Sequence, residues 1–250
     1  MARYQVILAY DGTGFQGFQR QRNARTVQGV FESALRELGW TGRSLLSAGR
    51  TDSGVHAKGQ VVAFDLAWRH DEADLLRALN ANLPLGVAAR RVKACDPGFH
   101  PRHEALSRRY SYRIFCDAIR DPLRERYAWR VWPEVERARM DEAAGCLIGE
   151  HDFSAFGSPP RRGGNTKRIV SQAMWLGAGR DLVFEITGNA FLYHMVRRLV
   201  SLFVEIGQGR QDISTVSAYL NGHQLENWQR LAPPQGLTLM EVTYPGEGDS

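Results

Sequence analysis

The segment Ala48-Gly49-Arg50-Thr51-Asp52-Ser53-Gly54-Val55-His56-Ala57-Lys58-Gly59-Gln60 places one carboxylate among Arg50, His56 and Lys58 at a glycine-flanked turn. A carboxylate acting as a nucleophile needs a nearby cation that keeps it ionised and oriented, and this segment supplies the residue types for that arrangement. If the strand preceding the turn persists to Asp52, Arg50 lies two residues back and points to the same face. The plainer reading of the same residues is an Asx turn in which Asp52 caps its own hairpin.

Other motifs point to less. Gly12-Thr13-Gly14-Phe15-Gln16-Gly17 matches G-x-G-x-x-G after a strand. In a dinucleotide fold the helix starts inside that motif, whereas here Gln19-Arg20-Gln21-Arg22-Asn23-Ala24-Arg25 intervenes. The acidic residues at plausible distance, Glu32 and Glu37, fall within the helix that follows. A flexible loop fits better, with arginines and glutamines on phosphates and Phe15 or Phe18 packing or stacking; an ordinary glycine-rich hairpin is the plain alternative. His100 and His103 lie near Cys95, but Pro101 separates the histidines and no fourth ligand is suggested, so no metal is expected. The three cysteines, Cys95, Cys116 and Cys146, have no C-x-x-C spacing and read as core thiols. Motifs for phosphoryl transfer, zinc peptidases and serine hydrolases are missing from the sequence.

The elements that must position Asp52 follow from periodicity. A strand over 4–10 leads through the glycine-rich loop to a helix with Val27, Val30, Phe31, Ala34, Leu35 and Leu38 at helical spacing, Thr26 as N-cap and Gly39 as stop. Strand-like runs at about 43–51 and 59–66, a helix at about 71–81 and a strand at about 87–95 complete a βαββαβ order. The pattern then restarts: a strand near 108–116, a helix near 138–148, strands near 169–176 and 181–187, a long helix from about 190 to 206, a short one near 212–221 and a strand near 237–244. Two such units imply an α+β chain with mostly antiparallel sheets, built as two ferredoxin-like halves over 1–103 and 104–250.

With 250 residues, 43% hydrophobic and 24% charged, the chain has the composition of a folded globular protein, not a disordered or fibrous one. No apolar run approaches the roughly 20 residues of a membrane span, and the N-terminus reads as a strand without a signal-peptide pattern, so a cytoplasmic location is expected. Net charge is +5, and 29 of the 32 basic residues are arginine. Segments 1–60, 101–130 and 161–200 carry net +4, +4 and +5, while those between are neutral or acidic. Three separated basic segments suggest one basic face assembled by folding and suited to nucleic acid. Residues 158–168, with breakers and charge but no apolar period, read as a mobile basic loop.

The string Gly49-Arg50-Thr51-Asp52-Ser53-Gly54-Val55-His56 resembles the G-R-T-D-[AS]-G-V-H signature of the tRNA pseudouridine synthase A (TruA) family. Agreement runs along nearly the whole chain, through Tyr10-Asp11-Gly12, Gln19-Arg20-Gln21, Thr26-Val27-Gln28, Asn80-Ala81-Asn82-Leu83-Pro84 and Phe99-His100-Pro101-Arg102. It continues through Arg108-Arg109-Tyr110-Ser111-Tyr112, Gly149-Glu150-His151-Asp152-Phe153 and Asn189-Ala190-Phe191-Leu192-Tyr193-His194-Met195-Val196-Arg197. The resemblance implies the pseudouridine synthase fold with a central RNA-binding cleft, and an isomerase that converts uridine to pseudouridine at positions 38, 39 and 40 of the tRNA anticodon stem-loop. It further implies a homodimer with no redox cofactor or ATP. Asp52 is then the catalytic aspartate, Tyr110 the tyrosine packed against the target uracil and Arg197 the basic partner of the aspartate.

Local pattern tests these roles only in part. On the long helix Leu192, Met195, Val196, Leu199 and Phe203 form a core stripe, with His194, Ser201 and Glu205 opposite. Arg197 lies at the boundary, where a partly buried arginine wants a carboxylate, or else snorkels to water. Arg198 is expected to be exposed, in reach of phosphate. Tyr110 shares a strand face with Tyr112, Ile114 and Cys116, which reads as apolar, and Arg109, Ser111 and Arg113 as a basic face. Asp52 has three routes open: attack on uracil C6, attack on sugar C1′, or assistance to a glycal-forming elimination. Candidate RNA contacts are Arg20, Arg25, Arg50, His56, Lys58, Arg108, Arg109, Arg161, Arg162, Lys167 and Arg168, each also readable as a solvated charge. The rival from another class is a non-catalytic RNA-binding or RNA-chaperone protein, and a hydrolase releasing uracil is more distant.

Overall fold

A computed structural model of the chain describes residues 1–161, 163–222 and 228–246. In chain order its elements are β1 (Ala2–Tyr10), α1 (Val27–Glu37), β2 (Leu46–Ser47), β3 (His56–Leu66), α2 (Glu72–Asn82), β4 (Val87–Cys95), β5 (Ser107–Cys116) and β6 (Trp129–Val131). There follow α3 (Arg137–Gly145), β7 (Gly149–Asp152), β8 (Lys167–Ala178), β9 (Asp181–Gly188), α4 (Met195–Gly207), α5 (Ser214–Leu220) and β10 (Leu237–Thr243). They form two compact units, Met1–Leu106 with Thr238–Ser250, and Ser107–Leu237. The last strand, which sequence order places at the end of the second half, thus contributes to the first unit.

In the first unit β1 pairs antiparallel with both β3 and β4, β2 pairs antiparallel with β3, and β10 adds parallel to β3. Alternation along β1 turns Tyr4, Val6, Leu8 and Tyr10 into the core, as a period of two requires. Thr26 caps α1 by accepting from the Gly29 amide at 3.2 Å, and Gly39 ends it in the left-handed region at φ +84°. The α1 face expected to be apolar is buried through Val27, Phe31, Ala34 and Leu35, but Gln28 and Glu32 are buried as well. The strand expected over 43–51 is reduced to Leu46–Ser47, and the strand expected from 59 begins at His56. Residues 48–55 form a loop, so the condition that would align Arg50 with Asp52 along a strand is not met: Arg50 is exposed and Asp52 half-buried.

In the second unit β5, β8 and β7 join through β9 and β8 in antiparallel register, and β6 pairs parallel to β5. The α+β class with mostly antiparallel sheet is the one sequence order implies. Helix α4 lies against this sheet, Phe203 meeting Phe184 at 5.2 Å and Trp175 at 6.3 Å between ring centroids. It starts at Met195, five residues later than expected, because His194 takes a left-handed conformation at φ +69°. Its expected polar side is also covered: Ser201 and Glu205 are only 5% and 8% exposed. Segment 228–232 lies there, Trp228 Nε1 donating to Ser201 Oγ at 2.6 Å and Ser201 Oγ to the Arg230 carbonyl at 2.8 Å. A helix buried all round needs partners for each polar group it carries. Among the described residues no helix is long and apolar enough to cross a membrane.

Candidate active site

The Asp52 turn is held from several directions. Its own backbone closes it, the Val55 amide donating to the Asp52 main-chain carbonyl at 3.2 Å. One residue before Asp52, the Thr51 hydroxyl meets the Tyr10 phenol at 2.8 Å, and both side chains are buried. Upstream, Gln60 of β3 donates its amide to the Gly49 carbonyl at 3.1 Å. Each bond fixes a backbone or a neighbour of Asp52, so the turn that carries the carboxylate is held in one conformation. Such preorganisation is what a reacting group requires.

The glycine-rich segment after β1 is the other jaw of this clasp. Phe18 donates its amide to the Thr51 carbonyl at 3.0 Å, while the Phe15 carbonyl accepts from the Gly54 amide at 3.3 Å and from Ser53 Oγ at 3.2 Å. Gly12 and Gly17 are needed for contact, not for a nucleotide: a Cβ on Gly12 would fall 2.0 Å from the Val55 carbonyl oxygen, and Gly17, at φ +86°, lies against the Thr51 carbonyl. Phe15 and Phe18 are buried, which selects packing over stacking on RNA. His56 anchors the jaw, its Nδ1 accepting from the Gly12 amide at 3.0 Å and lying 3.2 Å from Asp11 Oδ1.

In the second unit Tyr110 is half-buried on β5, its ring in edge contact with Phe191 at 5.0 Å between centroids. The strand faces are less sharply divided than periodicity implies: Tyr112 and Ile114 are buried beside Tyr110 as expected, yet Ser111 and Phe115 on the arginine face are buried too. Phe115 carries the Arg124 guanidinium 4.1 Å from its ring centre, so that face is covered by the chain itself. Arg197 is only 9% exposed, which excludes the snorkelling alternative. Its Nε donates to the Ala232 carbonyl at 2.7 Å, and the Ala232 amide returns a bond to the Arg197 carbonyl at 3.2 Å. Burial pushes the neighbouring Tyr112 phenol well above its ordinary range against a smaller opposing pull from Arg197, and its hydroxyl donates to the Pro233 carbonyl at 2.7 Å. Arg198 is not the exposed residue expected: it is half-buried, and loss of solvent lowers its affinity for a proton.

The candidate RNA contacts separate into groups. Arg20 pairs with the fully buried Glu32 carboxylate and donates to the Arg43 carbonyl at 3.1 Å, a structural engagement that sequence reasoning did not see. His56 is buried in the clasp. Arg108 donates to the Asn189 carbonyl at 2.6 Å, Arg109 lies 3.8 Å from Glu185, and Arg168 donates to the Asn165 carbonyl at 2.9 Å. Arg25 is exposed with its guanidinium 5.0 Å from the Phe15 ring centre. Arg50, Lys58, Arg161 and Lys167 are exposed, and Arg162 lies outside the described residues. Tyr10, Thr51, Phe15 and Gln60 are the supporting residues that periodicity missed, because their partners are distant in sequence.

Residues 6–104 and 143–245 match the family model described as tRNA pseudouridine synthase. A protein of Limosilactobacillus fermentum named tRNA pseudouridine synthase A is 38% identical over 255 residues, spanning 100% of this chain and 99% of its own length. Another of that name from Pseudothermotoga lettingae is 38% identical over 98% of this chain and 100% of its own length. One from Paraburkholderia phymatum is 38% identical over 98% and 92%. A solved Cbf5–Nop10–Gar1 complex is similar at a TM-score of 0.37 and 12% identity over 80% of this chain and 45% of that one, too slight a likeness to bear on the fold.

Proposed function

The chain belongs to the tRNA pseudouridine synthase family, and we propose that it uses Asp52 to isomerise uridines at positions 38, 39 and 40 of the anticodon stem-loop of tRNA. The reaction breaks the N1–C1′ bond, turns the uracil and joins C5 to C1′. The hydrogen on C5 leaves to solvent and N1 gains one, so atoms and oxidation state balance without a cofactor.

The observation that carries this reading is the clasp around Asp52, in which two loops and β3 hold one acidic turn with a set of buried and part-buried hydrogen bonds. A protein that only binds RNA has no use for such a turn, since a carboxylate repels phosphate. Tyr110 serves as the surface for the target uracil, its ring set by Phe191, and Arg197 supplies the positive charge that keeps a carboxylate ionised. The target base must leave its stack first, at a cost of a few kcal/mol offset by phosphate contacts and stacking. Arg25, Arg50, Lys58, Arg161 and Lys167 are exposed and suit those phosphate contacts. The active form is a homodimer acting in the cytoplasm, where its substrate resides.

Incubating unmodified tRNA with the protein and mapping pseudouridine by carbodiimide adducts and primer extension tests the site of action. New adducts at positions 38 to 40, read as stops one nucleotide 3′ of each, are expected; adducts confined to other positions contradict the reading.

A further inference from the structure

Among the exposed aromatic side chains of the described residues, which include Tyr127 and Trp132, Tyr193 is the most exposed, and the uridine isomerisation does not use it. Tyr193 and His194 stack on each other at 3.6 Å between ring centroids and 30° between planes, immediately before α4. Tyr193 is 59% exposed, although its ring is the kind of surface that folding ordinarily covers. His194 takes φ +69°, a left-handed conformation that a side chain adopts at a cost and that the surroundings must hold in place. The residue before it is anchored: the Tyr193 amide donates to the Ser158 carbonyl at 3.0 Å in an antiparallel bridge. Gly157 permits the approach, since a Cβ there would meet the Tyr193 carbonyl at 2.6 Å. The bridge ties the aromatic pair to the start of the basic segment that carries Arg161, Lys167 and Arg168, and Arg197 and Arg198 follow in the first turn of α4.

From this juxtaposition we propose that the Tyr193–His194 pair is a stacking platform for an unpaired nucleobase of the RNA substrate, separate from the uracil being isomerised. An exposed aromatic face on a segment tied to a basic strap suits single-stranded nucleotides, the ring taking the base and the exposed Arg161 and Lys167 of the strap meeting the backbone. Phe191, two residues earlier, sets the Tyr110 ring, so a single short segment supports the proposed uracil surface and presents a second aromatic surface. The inference rests on the reading of the protein as an RNA-modifying enzyme. It adds to that reading a specificity-determining contact with a neighbouring base.

The test measures dissociation constants of the full-length protein for an anticodon stem-loop RNA and for versions with an abasic site placed at each loop position in turn. Tyr193→Ala is expected to weaken binding about ten- to a hundredfold, the range of one base stack, while Tyr193→Phe binds as wild type. At one loop position the abasic RNA should bind the wild type and Tyr193→Ala equally, because the stack is already gone. Equal affinity of wild type and Tyr193→Ala for the intact RNA, with unchanged thermal midpoints, overturns the inference. So does a Tyr193→Ala deficit that persists unchanged at every abasic position. Tritium release by the wild type from uracil labelled at C5 is read in parallel. Its absence sinks the isomerase reading, and the binding comparison still decides the role of Tyr193.

Discussion

The Asp52 turn and the 158–168 segment are both loops rich in glycine and charge, yet they are built in opposite ways. Around Asp52, Thr51, Val55 and His56 are buried, and bonds arrive from Tyr10, Phe15, Phe18 and Gln60, partners as many as 41 residues away in sequence. In the second loop the ends are tied, Ser158 to Tyr193 and residues 166–168 to the 151–153 segment, but between them Arg161, Gly163, Asn165 and Lys167 are exposed and the bonds among the described residues are short-range: Gly164 amide to Arg161 carbonyl at 3.0 Å and Lys167 amide to Asn165 Oδ1 at 2.8 Å. The first design fixes the backbone that carries one carboxylate, and the second displays charge on an exposed strap. A group that reacts must be placed to within fractions of an ångström, whereas a cation that meets phosphate works over a longer range.

That contrast is sharpest at Asp52 itself. Asp52→Asn keeps the shape of the turn and should lower turnover by about 10⁴-fold or more while leaving tRNA affinity within a fewfold, read by single-turnover kinetics and filter binding. The next effect falls on the jaw. Gly12→Ala forces a Cβ against the Val55 carbonyl, and a shift of the turn of the order of 1 Å should cost about a hundredfold in kcat with KM little changed. Tyr10→Phe is gentler, leaving the buried Thr51 hydroxyl without its partner; it should destabilise the protein by about 1–3 kcal/mol in urea melts and lower kcat by less than Gly12→Ala does. If either jaw variant raised KM alone, the distinction between the two loops would fail.

Replacing Arg161 and Lys167 together by alanine should act on the other side of the comparison. Turnover at saturation is expected to hold, KM to rise, and the slope of log affinity against log salt to flatten by about one for each phosphate that is no longer neutralised. A fall in kcat at saturating tRNA would count against the open-strap account.

The smallest effect belongs to Glu205, which accepts from Arg210 at 2.8 Å and pairs with Arg230 near the end of α4. The Arg210 hydrogen bond leads in holding its carboxyl below the ordinary range, so the stabilisation is present above the unfolded value and fades as pH falls through the lowered one. The thermal midpoint of Glu205→Gln should therefore lie below wild type at neutral pH, the gap closing below about pH 4. A gap that stays constant on acidification would assign the difference to packing.

Much of this was legible in the sequence because it is periodic. The strands β1, β4, β5, β8 and β9 and the helices α1 and α2 follow from alternation, helical stripes and, for α1, the Thr26 cap. The short strands β6 and β7 were not legible, having too few residues to show a period. The delayed start of α4 coincides with the left-handed His194, which follows Tyr193, whose amide is bonded to the remote Ser158 carbonyl. Asp52 stood out by residue type and spacing, but its support did not. Arg20 looked like a surface cation because nothing local reveals that Glu32 is buried, and Gly12 and Gly17 read only as a flexible glycine-rich loop because their partner is the backbone of Thr51 to Val55. Long-range pairing is what a single sequence conceals.

The central claim is that Asp52 drives formation of the C5–C1′ bond in tRNA. The most direct measurement is release of tritium from tRNA labelled at uracil C5, with wild type and Asp52→Asn side by side and both shown to bind the RNA. Release by wild type and none by the variant is the predicted result; equal release by the two, or none by either despite tight binding, would contradict it.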